Sequence, residues 1–160
     1  MNMVNYQSVM TAAEQKCLQQ GIRFTERRKQ VLSVLIKADV ALSAYEIAER
    51  CNADSDSNMP AMSVYRILDL FQEQNLIHKL DIANKYVCCS HISCSHEHNK
   101  SQFLICGSCR HVQEINLSED AVKALQTAAS SAGFSAISPQ LEIKGRCTQC
   151  EQREGQAVTP

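Results

Sequence analysis

Two Cys-x-x-Cys pairs, Cys106-Gly107-Ser108-Cys109 and Cys147-Thr148-Gln149-Cys150, constrain this chain more than any other feature. A tight turn over that spacing aims both sulfurs of a pair at one point, so two pairs supply four thiolates to a single tetrahedral ion. The reading is a structural zinc on Cys106, Cys109, Cys147 and Cys150. A redox site needs only one such pair beside a βαβ pattern, and the second pair here sits in a polar, tail-like context. A simple zinc ribbon separates its pairs by about 15–20 residues. The interval here is longer, so folded elements must lie inside it, and the ion becomes a clasp on a small domain.

The rest of the composition sets limits. At 160 residues and 44% hydrophobic, the chain is one ordinary domain or two small ones with a real core. Nine cysteines, at 17, 51, 88, 89, 94, 106, 109, 147 and 150, read as metal ligands plus buried thiols in a reducing compartment. Nothing at Met1-Asn2-Met3-Val4 resembles a leader and no apolar run approaches a membrane span, so a cytoplasmic protein with no membrane partner is expected. Net charge is −1, and over residues 1–84 nine Lys and Arg face ten Asp and Glu. Any contact with nucleic acid must then rest on local placement, and Arg23, Arg27, Arg28 and Lys29 are the one cluster that offers it.

Hydrophobic periodicity predicts helices over about 10–20, ended by Gly21; from Thr25 as N-cap, with Val31, Leu32, Leu35 and Ile36 inward; and from Ser43-Ala44-Tyr45-Glu46, an S-x-x-E capping box, to about Cys51. In the first, Met10, Ala13, Cys17 and Leu18 share the apolar side. After an unpatterned connector at 52–58 comes a helix from Ser63 to about Gln74. It buries Val64, Ile67, Leu68 and Phe71 and leaves Tyr65 and Arg66 outside, as a helix that reads a DNA groove would. Residues 76–82 and 85–89 predict a hairpin centred on Ala83-Asn84, which makes a winged helix of the N-terminal part. That centre places His78 directly across from Cys89, close enough for both to hold one ion.

Residues 89–100 are dense in Cys, His and Glu and form a linker with ligand chemistry. Strands follow at 101–105 and 110–116, then a helix from Ser118 to Gly133 bearing Val122 and Leu125, then a strand over 134–144 with alternation at Leu141 and Ile143. A three-stranded sheet of this kind has a bare edge and tends to complete itself with a second copy. Residues 151–160 lack pattern and read as a flexible tail. The expected fold class is α+β: a winged-helix DNA-binding domain at 1–84, a hinge with metal ligands at 85–100, and a small α/β dimerisation domain with a four-cysteine zinc site at 101–150.

Gly21-Ile22-Arg23-Phe24-Thr25 with Arg28, Val31 and Leu32, then Ser63-Val64-Tyr65-Arg66, then the two cysteine pairs, resemble the ferric uptake regulator superfamily of bacterial metal-responsive repressors. The match runs over about residues 8–150 and is most like the zinc uptake regulator branch. The resemblance implies a homodimer, a structural zinc on the four cysteines, a second, regulatory zinc on His78, Cys89, His98 and Glu114, and no enzymatic activity or small-molecule substrate. His96 or His91 stand as alternatives for the hinge histidine, and Cys88 or Cys94 for the thiolate. Arg110 departs from the family, which commonly has glycine after the second cysteine. The resemblance further implies an A·T-rich palindromic double-stranded DNA operator, read by Tyr65 and Arg66 with Tyr45 approaching it, and Arg23, Thr25 and Arg28 on phosphates.

An arginine suits this role because two guanidinium donors meet the O6 and N7 acceptors of guanine. One thiolate, two imidazoles and a carboxylate suit tetrahedral zinc better than iron(II) or manganese(II), which favour harder shells. The expected function is a zinc-responsive repressor of zinc-uptake genes. The rivals are an iron- or peroxide-sensing repressor of the same superfamily, and a zinc-trafficking or thiol redox protein without a DNA target. A hydrolytic zinc enzyme fits poorly, because a four-thiolate clasp has no open coordination position.

Overall fold

The computed structural model describes residues 3–38, 40–53, 58–92, 101–135 and 140–156. The chain divides into two compact units, Met1–His96 and Glu97–Pro160.

The first unit carries four helices, α1 (Met3–Gln19), α2 (Glu26–Lys37), α3 (Ala44–Ala53) and α4 (Ala61–Glu73), followed by strands β1 (Ile77–Leu80) and β2 (Lys85–Cys88). One apolar cluster holds them together, with Val31, Leu32, Ile47, Leu68 and Phe71 fully buried at its centre. Burying a Leu, Val or Phe contributes about 1.5–3 kcal/mol each, so this unit has a core of its own. The helix boundaries follow local chemistry. Gly21 takes φ +70° past the end of α1, and the Ile22 amide reaches back to the Cys17 carbonyl at 2.8 Å, closing the helix in a left-handed cap. Ser43 and Glu46 cap α3 reciprocally: the Ser43 amide donates to Glu46 Oε2 at 2.7 Å and the Glu46 amide to Ser43 Oγ at 3.3 Å. Thr25 stands at the N-cap of α2 without a side-chain capping bond.

Three expectations need correction here. First, α1 begins at Met3, a full two turns before the predicted start, and Leu18 is 74% exposed, pointing away from the side that Ala13 and Cys17 bury. Second, the hairpin turn spans four residues and not two, so β1 and β2 pair as Ile77 with Cys88, His78 with Val87 and Leu80 with Lys85. A two-residue loop on Ala83-Asn84 would need positive φ at both positions, which alanine resists. The longer turn asks it only of Asn84, at φ +48°, a residue that tolerates it. The slip is by two, so it preserves the face: Cys89 follows β2 with its amide bonded to the Leu76 carbonyl at 3.0 Å, diagonal to His78 on the same side. An isolated β-bridge also ties the segment before α3 to the wing, because Leu42 and Tyr86 exchange both backbone bonds, at 3.0 and 2.7 Å.

The second unit contains β3 (Ser101–Cys106), β4 (Val112–Asn116), α5 (Glu119–Ser131), β5 (Leu141–Gly145) and α6 (Thr148–Gln156). The sheet order is β4-β3-β5, with β3 antiparallel to β4 and parallel to β5. Ser118 caps α5 through a bond from the Ala121 amide at 3.3 Å, and Gly133 at φ +79° ends it. The third correction concerns the tail, because residues expected to be patternless form α6 as far as Gln156. The turn of the second cysteine pair starts it, with the Cys150 and Glu151 amides on the Cys147 carbonyl at 2.9 and 3.1 Å. Its sequence is rich in Gln, Glu and Arg and has no apolar stripe, so periodicity could not reveal it.

Candidate metal centres and nucleic-acid interface

In the second unit, strands and turns bring the four cysteines together from 41 residues apart in sequence. Cys106 ends β3 and Cys109 follows it across a turn, while the parallel strand β5 returns the chain so that the Gly107 amide meets the Gly145 carbonyl at 2.9 Å. Cys147 and Cys150 then lie beside the first pair, and the four sulfurs are all within 4.8 Å of one another. Sulfurs around a tetrahedral zinc with bonds of about 2.3 Å stand ~3.8 Å apart. Cys109 Sγ and Cys147 Sγ are 3.6 Å apart, so the cysteines fit that ion.

Electrostatics agree with geometry. Amides of Cys109 and Cys147 donate to Cys106 Sγ, the latter at 3.4 Å, and pull that thiol down to about 6. The neighbouring Cys147 sulfur and burial push Cys150 up to about 12. Four thiols this close resist joint ionisation, which a dication at their centre would make favourable. Arg110, immediately after the first pair, holds φ +63° with its amide on the Cys106 carbonyl at 3.0 Å. It thus takes up the left-handed conformation that glycine would adopt more easily.

In the first unit, a ligand atom of His78 and the Cys89 sulfur lie within 4.8 Å of each other, a cysteine–imidazole pair apart from the four-cysteine cluster. Cys89 is buried, and its sulfur accepts from the His91 amide at 3.4 Å. Cys88 is half-buried and its thiol turns to the Cys89 carbonyl at 3.8 Å. Glu114 is half-buried on β4 in the second unit. His98, with the alternatives His96 and Cys94, lies outside the described residues.

The DNA candidates occupy α3, α4 and the start of α2. Val64, Ile67, Leu68 and Phe71 anchor α4 in the core, which leaves Arg66 exposed and Tyr65 half-buried. Tyr45, 68% exposed on the first turn of α3, meets the Tyr65 ring edge-on with centroids 6.1 Å apart. Arg23 and Thr25 are exposed, whereas the Arg28 guanidinium donates to the Arg23 carbonyl. Lys29 pairs with Glu14 at 3.4 Å and Glu26 at 3.6 Å, so part of the basic cluster serves the α1–α2 junction.

Sequence reasoning missed two groups on this surface. Lys85 Nζ lies 3.0 and 2.9 Å from the two carboxylate oxygens of Glu46, across 39 residues. That bond and the Ser43 amide hold the Glu46 carboxyl down to about 2. Asn52 meets the Met59 backbone twice, Nδ2 donating to the carbonyl at 3.2 Å and the Met59 amide donating to Oδ1 at 2.6 Å, which fixes the entry to α4. The S-x-x-E motif signalled Glu46 as a cap; its ion pair has no local signature.

Comparison with known proteins gives a consistent picture. The Ferric uptake regulator family matches residues 19–144. The chain is 32% identical over 148 residues to the zinc uptake regulation protein of Escherichia coli (strain K12), covering 92% of this chain and 84% of that protein. Among solved structures it resembles a zinc uptake regulator complexed with zinc and DNA, at TM-score 0.80 and 28% identity, over 97% of this chain and 99% of that one. It also resembles holo XcZur, at TM-score 0.72 and 29% identity, over 89% and 96% of the two chains.

Proposed function

Because the chain belongs to the Ferric uptake regulator family, we propose that it is a zinc-responsive transcriptional repressor that binds operator DNA as a homodimer and controls zinc-uptake genes. The observation that carries this reading is that one unit combines a reading surface, the exposed Tyr45 and Arg66 with the half-buried Tyr65, with a cysteine–imidazole pair, Cys89 and His78. Relatives named for zinc uptake and a similar structure holding zinc and DNA support it.

This reading assigns two zinc ions to each chain. Cys106, Cys109, Cys147 and Cys150 hold the first, which cross-links the strands of the second unit. His78, Cys89, His98 and Glu114 hold the second, which is the signal. His78 and Cys89 belong to the first unit and Glu114 to the second, so filling this site couples the DNA-reading unit to the dimer-forming one. A ligand shifts a conformational equilibrium only by its differential affinity for the two states. A 100-fold preference for the DNA-competent arrangement contributes roughly 2.7 kcal/mol toward it. The thiolate favours zinc over the harder iron(II) and manganese(II).

On DNA, Arg66 and the Tyr45–Tyr65 pair face base edges in an A·T-rich inverted repeat. Arg23, Thr25 and Arg28 cluster at the N-terminus of α2, where amides and positive charge suit phosphate. The dimer surface is α5 with the sheet. None of the residues of α5 is buried within one chain, yet Val122, Leu125 and Ala129 line one side of it, and Leu104 and Ile143 lie exposed side by side on β3 and β5. These are the apolar faces that a second copy would cover. No helix among the described residues is long and apolar enough to cross a membrane, and the proposed site of action is the cytoplasm.

The test is operator binding by His78→Ala and Cys89→Ala. Both variants should lose zinc-dependent binding while remaining dimers. Zinc content should be two per chain in wild type and one in Cys89→Ser. Variants that still bind operator only when zinc is added would refute the regulatory site, and iron(II) outcompeting zinc for it would favour the iron-sensing alternative.

A further inference from the structure

We propose that Glu46 and Lys85 form a positioning clamp that sets the DNA-reading surface before the duplex arrives, an inference that rests on the DNA-binding reading above. The start of α3 is stitched to wing strand β2 twice: by the reciprocal backbone bonds of Leu42 and Tyr86, and by the Lys85 ammonium on both oxygens of Glu46 at 3.0 and 2.9 Å. Glu46 Oε2 also accepts from the Ser43 amide, so one carboxylate fixes both the helix start and its distance from the wing. Tyr45 is the adjacent residue. It is 68% exposed, and its ring meets that of Tyr65 on α4 edge-on, so the seating of the first turn of α3 sets where this aromatic pair stands.

The sign of the charge makes the point sharper. A carboxylate beside a surface meant for a polyanion opposes binding, and Glu46 occupies that place next to the leading aromatic. Its interaction with Lys85 neutralises it there, and the gain is preorganisation: side chains already ordered in the free protein need not be ordered on binding. Lys85 acts here through Glu46, and phosphate contact is left to other residues.

The test uses full-length, zinc-loaded protein and the duplex that wild type enriches from a random-sequence pool in the presence of zinc. Glu46→Gln keeps the side-chain shape and removes the charge. It should bind roughly fivefold to tenfold more weakly, the size expected when one or two side chains must be ordered during binding. Lys85→Met should weaken binding equally, Lys85→Arg should restore it, and all three should retain the wild-type dependence of affinity on salt and the wild-type zinc content. Phosphate contact by Lys85 makes opposite predictions. Glu46→Gln would then bind as tightly as wild type or tighter, and Lys85→Met would lower the salt slope by about 0.9. Either result overturns the clamp. Wild type that enriches no duplex at all would overturn the DNA-binding reading and the clamp together, whereas tight wild-type binding with an unaffected Glu46→Gln removes the clamp alone.

Discussion

Arg110 and Glu46 show how single residues carry the local geometry. Arg110 holds φ +63° at the close of the first cysteine turn, a conformation that costs a side-chain-bearing residue about 1–2 kcal/mol. Arg110→Gly should therefore raise the stability of the zinc-bound protein by roughly 0.5–1 kcal/mol, after the extra backbone entropy of glycine is deducted. Thermal unfolding at saturating zinc measures it, and a loss of stability would mean that the arginine side chain compensates for the strain. Glu46 titrates near 2, below its ordinary value of 4.5, chiefly through the bond from Lys85. The stabilisation is present above 4.5 and fades as pH falls from there towards 2. Its carboxylate is 38% exposed, so screening holds the contribution to about 1 kcal/mol or less. Glu46→Gln should be less stable than wild type by that amount at pH 7, and in urea titrations the difference should shrink as pH falls below 4.5 and be lost as pH passes through about 2.

At the scale of elements, α4 and α5 are both amphipathic yet meet different fates. The apolar stripe of α4 is buried in its own unit, whereas that of α5 leaves Leu125 48% exposed. A helix whose stripe is left without cover among the described residues is the interface element proposed above. Leu125→Glu should shift the protein from dimer to monomer by more than tenfold in dissociation constant, measured by analytical ultracentrifugation; an unchanged dimer would move the interface elsewhere. The approach to α4 depends on Asn52, whose amide imitates a backbone partner for Met59. Asn52→Ala should cost about 1–3 kcal/mol, since it leaves part-buried backbone groups without those bonds. Capping signals, apolar periodicity and the Ser118 N-cap were all readable as local patterns. The hairpin register was not, because it depended on whether alanine or asparagine alone took a positive φ.

Across the whole molecule, the two units differ in what stabilises them. The first has a broad apolar core, while in the second the buried described residues are Gln102, Phe103, Ile105, Cys106 and Cys150. On the proposed reading, a unit with so little buried among its described residues draws its stability from a bound ion and a partner copy. Removing the structural zinc with a strong chelator should abolish the cooperative unfolding of the second unit and the dimer with it, while the helical signal of the first unit persists. Calorimetry with circular dichroism checks this, and a dimer that survives complete zinc removal would assign the stability to apolar burial instead.

Much was determined by sequence alone. The cysteine spacing announced that four sulfurs would gather, and the 3.6-residue periodicity of α2 and α4 specified which side chains enter the core, because both are properties of short stretches of chain. Tertiary structure decided the rest. The Glu46–Lys85 pair, the Leu42–Tyr86 bridge and the placing of Tyr45 against Tyr65 join residues that are distant in sequence. The composition of neither partner announces such contacts, since they exist only once packing has brought two separate elements to one place.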